Sequence, residues 1–142
     1  MKNYKLTQIK KDALVGAAYI ARKRAYAPWS GFTVGAALLM RDGRVYLGAN
    51  YESKLFTQTT HADSAAFIAA GMNGYNTQKD AVAIAVVCPQ KNGKPAFPCG
   101  NCREDIEELG NKKVHVIAEN TLTKKRAEAT LEQLLPGSIF QL

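Results

Sequence analysis

Long apolar runs are missing from this 142-residue chain. No stretch approaches the ~18 consecutive apolar residues of a membrane span, so a soluble protein with no membrane partner is expected. Between Met1 and Lys11 there is no apolar core leading to a small-residue cleavage site, so no secretory signal is expected either. Cysteine is scarce, at three residues, which suits a reducing interior better than a disulfide framework and makes the cytoplasm the expected location. Aromatic residues are not interleaved with the basic groups Lys10-Lys11, Arg22-Lys23-Arg24, Lys112-Lys113 and Lys124-Lys125-Arg126. The net charge of +7 therefore reads as a solvated basic surface rather than a base-stacking nucleic-acid groove. No repeat, low-complexity segment or linker interrupts the chain, and its length is that of one domain, 1–142. Its 46% hydrophobic content argues against disorder.

Against these absences stands one dense constellation, His61-Ala62-Asp63 followed by Pro98-Cys99-Gly100-Asn101-Cys102. One imidazole and two thiolates are three protein ligands, and a zinc ion held by three ligands keeps its fourth position open for chemistry. Cys99 and Cys102, at i and i+3, share a face if a helix begins near Pro98. Asp63, two residues after His61, then stands beside the metal as a proton carrier: zinc lowers the pKa of a bound water from 15.7 to roughly 7, and a neighbouring carboxyl can relay the proton. The layout resembles that of the zinc nucleobase deaminases, with Asp63 where they carry glutamate. A C-x-x-C pair alone also fits a redox dithiol or half of a structural zinc knuckle. A redox pair needs no partner histidine, and a closed structural site needs a fourth ligand. The spare candidates, Cys88 and His115, lie in apolar strand-like runs and read as packing residues.

The periodicity predicts an amphipathic helix from about Thr7 to Arg24 and a turn around Pro28 and Ser30-Gly31. A buried strand from Phe32 to Met40 follows, joined through Asp42-Gly43 to a second strand, Val45 to Ala49. A small-residue helix runs from His61 to Gly71, a third strand from Val82 to Val87, and a helix from Cys102 to Leu109 closed by Gly110. Val114 to Glu119 reads as a fourth strand and Lys124 to Leu135 as a helix ended by Pro136-Gly137. Alternating elements of this kind predict a three-layer α/β domain with a mixed sheet. His61 and Cys99 both fall at helix N-termini, where the dipole favours thiolate and hydroxide.

Several motifs in order, from Tyr26-Ala27-Pro28-Trp29-Ser30-Gly31-Phe32-Thr33-Val34-Gly35-Ala36-Ala37-Leu38 through Gly48-Ala49-Asn50-Tyr51-Glu52 and the metal segments to Leu134-Leu135-Pro136-Gly137, resemble the small nucleoside-acting cytidine deaminases over nearly the whole chain. The resemblance implies a three-layer α/β/α cytidine-deaminase-like fold with a five-stranded mixed sheet. It implies a zinc-dependent hydrolase converting cytidine or deoxycytidine to the uridine product with release of ammonia, a role in pyrimidine salvage, and a homo-oligomer, a tetramer before a dimer. Carried over by position, Asp63 is catalytic, and His61, Cys99 and Cys102 hold the metal. Phe32 lies beside the pyrimidine ring, Asn50 and Glu52 hydrogen-bond the ribose, and the backbone of Ala62 contacts the base amide.

The chain departs from the family pattern in four places. His61 replaces the cysteine usual in tetrameric members, and Ser64 stands where those members place an arginine. Arg103 remains to supply positive charge near the cysteines. Asp63 is one methylene shorter than glutamate, a retreat of ~1.5 Å unless the backbone moves inward. Ile139 falls where a phenylalanine is frequent, with Phe140 next. Two other substrates or roles stay open: a cytosine-bearing antibiotic such as blasticidin S, or pyrimidine nucleoside binding with weak or no turnover. A base within RNA or DNA is disfavoured, because Asn50 and Glu52 suit a free ribose.

Overall fold

A computed structural model describes residues 4–139. The elements in chain order are α1 (Gln8–Arg22), β1 (Gly35–Met40), β2 (Val45–Ala49), α2 (Ala62–Met72), α3 (Thr77–Asp80), β3 (Ala81–Cys88), α4 (Gly100–Leu109), β4 (His115–Asn120), β5 (Arg126–Thr130) and α5 (Leu131–Leu134). Among the described residues no helix is long and apolar enough to cross a membrane.

Among the described residues five strands form one mixed sheet in the order β2-β1-β3-β4-β5. Only β3 and β4 run parallel; the other neighbours are antiparallel. Because side chains alternate across a strand, β1, β3 and β4 divide their residues between two cores. Ala37, Leu39, Ala83, Ala85, Val87 and Ile117 meet Leu14, Val15 and Ala18 of α1 on one face. Ala36, Leu38, Met40, Ile84, Val86 and Val116 meet Ala66, Phe67 and Ala70 of α2, Ile106 of α4 and Leu131 of α5 on the other. Two buried faces make three layers, as expected. The Thr7 hydroxyl caps α1 by accepting from the Lys10 amide at 3.3 Å. Gly43, at φ +92°, turns the β1–β2 hairpin at the Asp-Gly pair. The expected first strand is shorter than its apolar run, since residues 32–34 belong to the preceding loop.

The helix expected from Lys124 to Leu135 is not formed. Lys124 adopts φ +62° in a turn, Arg126–Thr130 pairs antiparallel with β4, and only Leu131–Leu134 is helical. Ala, Glu and Lys gave that segment a helical propensity, but pairing with a buried strand overrides a preference of a few tenths of a kcal/mol per residue. The edge strand then presents its charges to α1. Arg126 pairs with Asp12 at 2.7 Å and Glu119 at 3.1 Å, and Glu128 accepts from Lys11 at 2.8 Å. His115, read as a packing residue, instead turns a half-buried ring towards Glu128, with Nε2 3.4 Å from the carboxylate.

α2 lies almost in contact with the backbone of β2, as its small residues suggested. A Cβ on Gly48 would stand 2.2 Å from the Ala62 carbonyl oxygen and 2.5 Å from the Ala66 amide nitrogen. Neither atom is a flexible tip, so the helix itself would have to move. Gly48→Ala is expected to destabilise the fold by about 1–3 kcal/mol in a urea titration. It should also lower turnover, because α2 carries the site.

Candidate metal centre and catalytic cavity

The loop after β2 leads to α2, and the loop after β3 leads to α4, so two helix N-termini converge at one end of the sheet. His61 is the N-cap of α2 in extended conformation (φ −78°, ψ 155°) and makes no side-chain cap bond, which leaves its ring free to turn away from its own helix. Cys99 is the N-cap of α4, and its sulfur accepts from the Cys102 amide at 3.5 Å. His61 Nδ1 lies 3.0 Å from Cys102 Sγ and 3.5 Å from Cys99 Sγ. All three donor atoms fall within 4.8 Å of one another.

Asp63 sits in the first turn of α2 and is 3% exposed. Burial pushes its carboxyl up to about 6, against the downward pull of a hydrogen bond with Cys102 and the charge of His61. Its Oδ1 is buried without a hydrogen-bond partner. Burial, and next the Asp63 charge, push the Cys102 thiol far above the usual thiol range. Both groups are thus placed at a cost unless a cation joins them.

These four residues line one end of a cavity of about 360 Å³. Phe32, Asn50, Glu52 and Ala62 line the same cavity. Every expected substrate-contacting residue is therefore brought to the expected metal ligands. Among the described residues the cavity wall includes two acidic side chains, Glu52 and Asp63, and no lysine or arginine.

A family model of the cytidine and deoxycytidylate deaminase zinc-binding region matches residues 8–118. The chain belongs to this deaminase family. It is 41% identical over 128 residues to the cytidine deaminase of Halalkalibacterium halodurans, covering 90% of this chain and 92% of that one. It is 39% identical over 127 residues to the cytidine deaminase of Sporosarcina psychrophila, covering 89% of each. The crystal structure of cytidine deaminase from Burkholderia pseudomallei superposes with a TM-score of 0.85 at 36% identity, covering 94% of this chain and all of that one.

Zinc is the metal of this deaminase family's matched region, and the residues present fit it. One imidazole and two thiolates are zinc's preferred donors, and bonds of ~2.0–2.3 Å require donors to crowd within about 4 Å of each other. The pairs 3.0 and 3.5 Å apart already do so. The unpartnered Asp63 oxygen and the raised Cys102 thiol both fit a neighbouring cation.

Asn50 and Glu52 also organise the deaminase cavity itself. Asn50 Oδ1 accepts from the Val34 amide at 2.9 Å, and its Nδ2 donates to the Phe32 carbonyl at 2.8 Å, which holds Phe32 at the wall. Glu52 Oε2 accepts from the Trp29 and Ser30 amides, both at 3.1 Å, and Oε1 accepts from the Ser30 hydroxyl. Burial works against the Glu52 charge, but these bonds hold its carboxyl below its ordinary range. Arg103 is not in the cavity wall. Its Nε donates to the Pro98 carbonyl at 2.7 Å and its Nη1 to Leu134 at 2.9 Å, so it ties the turn before Cys99 to α5. Ile139 is exposed, and Phe140 lies outside the described residues.

The sequence reading missed part of the wall. Cys88 is buried as expected, yet it also faces the cavity from the end of β3, together with Gln90 and Phe97. Fully buried Asn120, the last residue of β4 and the partner of Cys88 across the sheet, donates to the carbonyls of Gln90 at 2.8 Å and Lys94 at 2.9 Å, and so shapes the loop that leads to the cysteines. An asparagine at the end of an apolar run was the available signal, because a buried amide must find partners.

Proposed function

We propose that the chain is a zinc-dependent hydrolase that deaminates cytidine and deoxycytidine, consuming water and releasing ammonia and the uridine product. The observation that carries this is one cavity bounded by His61, Cys99 and Cys102 and by a buried carboxylate oxygen with no protein partner. His61, Cys99 and Cys102 hold the zinc, which when bound supplies a Lewis acid able to lower the pKa of water to roughly 7. Asp63 takes a proton from the attacking water, delivers it to N3 of the ring, and then serves the amino group leaving C4. Phe32 bounds the pyrimidine, and the Ala62 backbone contacts the base amide. The remaining N–H of Asn50 and the remaining lone pairs of Glu52 orient the ribose hydroxyls. Arg103 fixes Cys99 through the Pro98 carbonyl.

Among the described residues no lysine or arginine lines the cavity, which favours a nucleoside over a nucleotide or a strand, since a phosphate on the ribose would meet the Glu52 carboxylate with no cation to offset it. Like-charge juxtaposition costs several kcal/mol, so kcat/KM for CMP should be at least ~100-fold below that for cytidine. Loss of the cytosine chromophore measures both; equal turnover of the two would refute the nucleoside assignment. Relatives named cytidine deaminase that align along most of their length favour cytidine over a cytosine-bearing antibiotic.

The chain functions as a homo-oligomer, a tetramer by resemblance, in cytoplasmic pyrimidine salvage. Support for association comes from apolar side chains left in solvent: Tyr51 stacked on Tyr26 at 4.6 Å, Leu55 and Phe56 beside them in sequence, and Ile68 and Met72 on α2. Light scattering on the zinc-loaded protein gives the subunit number.

A further inference from the structure

The N-terminal turns of α2 and α4 meet through side chains at two successive levels, and Asp63 adds a hydrogen bond to Cys102 at the first. The first meeting is between metal ligands, His61 Nδ1 and Cys102 Sγ at 3.0 Å. The second is one helical turn further along, where the Ser64 hydroxyl donates to Asp105 Oδ2 at 2.6 Å. Ser64 follows His61 by three residues and Asp105 follows Cys102 by three. Residues at i and i+3 share a helix face, so the two pairs are successive rungs between the same two faces. Neither Ser64 nor Asp105 lines the cavity. Whatever they contribute to the reaction, they contribute without touching substrate.

Deeper along these helices the contact is apolar, built on Ala66, Phe67, Ala70 and Ile106. Apolar burial is non-directional and tolerates small slides of one helix along another. A short side-chain hydrogen bond is directional and weakens steeply when its angle opens, so it resists such a slide. Zinc is intolerant of such slides, since its ligand distances vary by only about ±0.2 Å.

Taking zinc at the His61, Cys99 and Cys102 cluster as given, we propose that the Ser64–Asp105 bond is a clamp that sets the register of α2 against α4. It thereby sets the separation of His61 from Cys102. Ser64 and Asp105 are positioning residues for the metal, and they act through the backbones of the two helices that deliver its ligands.

The test is zinc affinity, measured on the full chain by competition with a chromophoric chelator. Ser64→Ala and Asp105→Ala are each expected to weaken zinc binding about 10–100-fold, the usual cost of losing support for a metal ligand. The double variant should be no weaker than the worse single variant, because one bond is lost in all three. Ser64→Thr keeps the hydroxyl and Asp105→Asn keeps an acceptor oxygen, so both should bind zinc within about threefold of wild type. In cobalt-substituted protein, Ser64→Ala should shift the thiolate-to-metal absorption bands and Ser64→Thr should not. Asp105→Asn as weak as Asp105→Ala would mean that charge, not the bond, is what matters, and would overturn the clamp. Ser64→Ala with wild-type affinity and an unshifted cobalt spectrum would overturn it too, with zinc at the site still standing. A wild-type chain that binds no stoichiometric zinc would overturn both.

Discussion

Asp63→Ala is expected to lower kcat on cytidine by about 10²–10⁴-fold, the range general acid–base catalysis contributes, while zinc remains at one per chain. The geometry separates these outcomes. Asp63 is not one of the three clustered ligand atoms, but its carboxyl reaches the Cys102 sulfur and lies in the wall of the same cavity. Removing it should therefore take away the proton carrier and leave the metal's grip intact. Stability should move the other way. A buried carboxylate whose Oδ1 has no partner carries an uncompensated desolvation penalty. Alanine relieves that penalty, so the unfolding midpoint of the variant should equal or exceed that of wild type. Asp63→Asn, which keeps the shape without the basicity, should lose activity similarly. Activity within tenfold of wild type in Asp63→Ala, at full zinc occupancy, would remove Asp63 from the mechanism.

Cys102→Ala should abolish turnover by a different route, through the metal. Cys102 is buried, and its sulfur sits 3.0 Å from the His61 ring, within the donor cluster. Two remaining donors cannot close a three-ligand site, so zinc affinity should fall by more than about 100-fold, beyond what loss of a supporting partner costs. Metal analysis of the purified variant should find zinc well below one per chain. Chelation of the wild-type protein should reproduce the loss, and added zinc should reverse it only where Cys102 is present. The same experiment reads out in stability. A ligand that binds only the native state adds ~2.7 kcal/mol at a hundredfold excess over its Kd. Zinc should therefore raise the unfolding midpoint of wild type and barely move that of Cys102→Ala. A fully active variant with stoichiometric zinc would show that the ion is held elsewhere.

The chemistry of the site was legible because it is written in short-range spacing. Cys99 and Cys102 lie on one helical turn, and His61 and Asp63 open another. These relations survive without knowledge of the fold, since three residues along a helix end on the same face wherever that helix lies. The Asp-Gly hairpin and the Ala-rich helices α1 and α2 were legible for the same reason, through local turn chemistry and periodicity. Where local preference and long-range pairing disagreed, the sequence misled. Arg126 to Thr130 has the composition of a helix, and only the exposed edge of β4, with Lys11 and Asp12 of α1 waiting beside it, makes it a strand.

The sequence by itself determined which three side chains are spaced to hold a metal, which carboxyl stands next to them, and which deaminase family the chain resembles. All of these are encoded in residue type and separation along a few turns of chain. The tertiary structure alone decided that Asp63, though one methylene short of glutamate, reaches the Cys102 sulfur, that Cys88 and the Asn120-tied loop complete the cavity, and that Ser64 meets Asp105. Those contacts join segments about 25 to 41 residues apart. They arise from the angle and closeness at which α2 and α4 pack on the sheet, and a packing angle has no signature in local sequence.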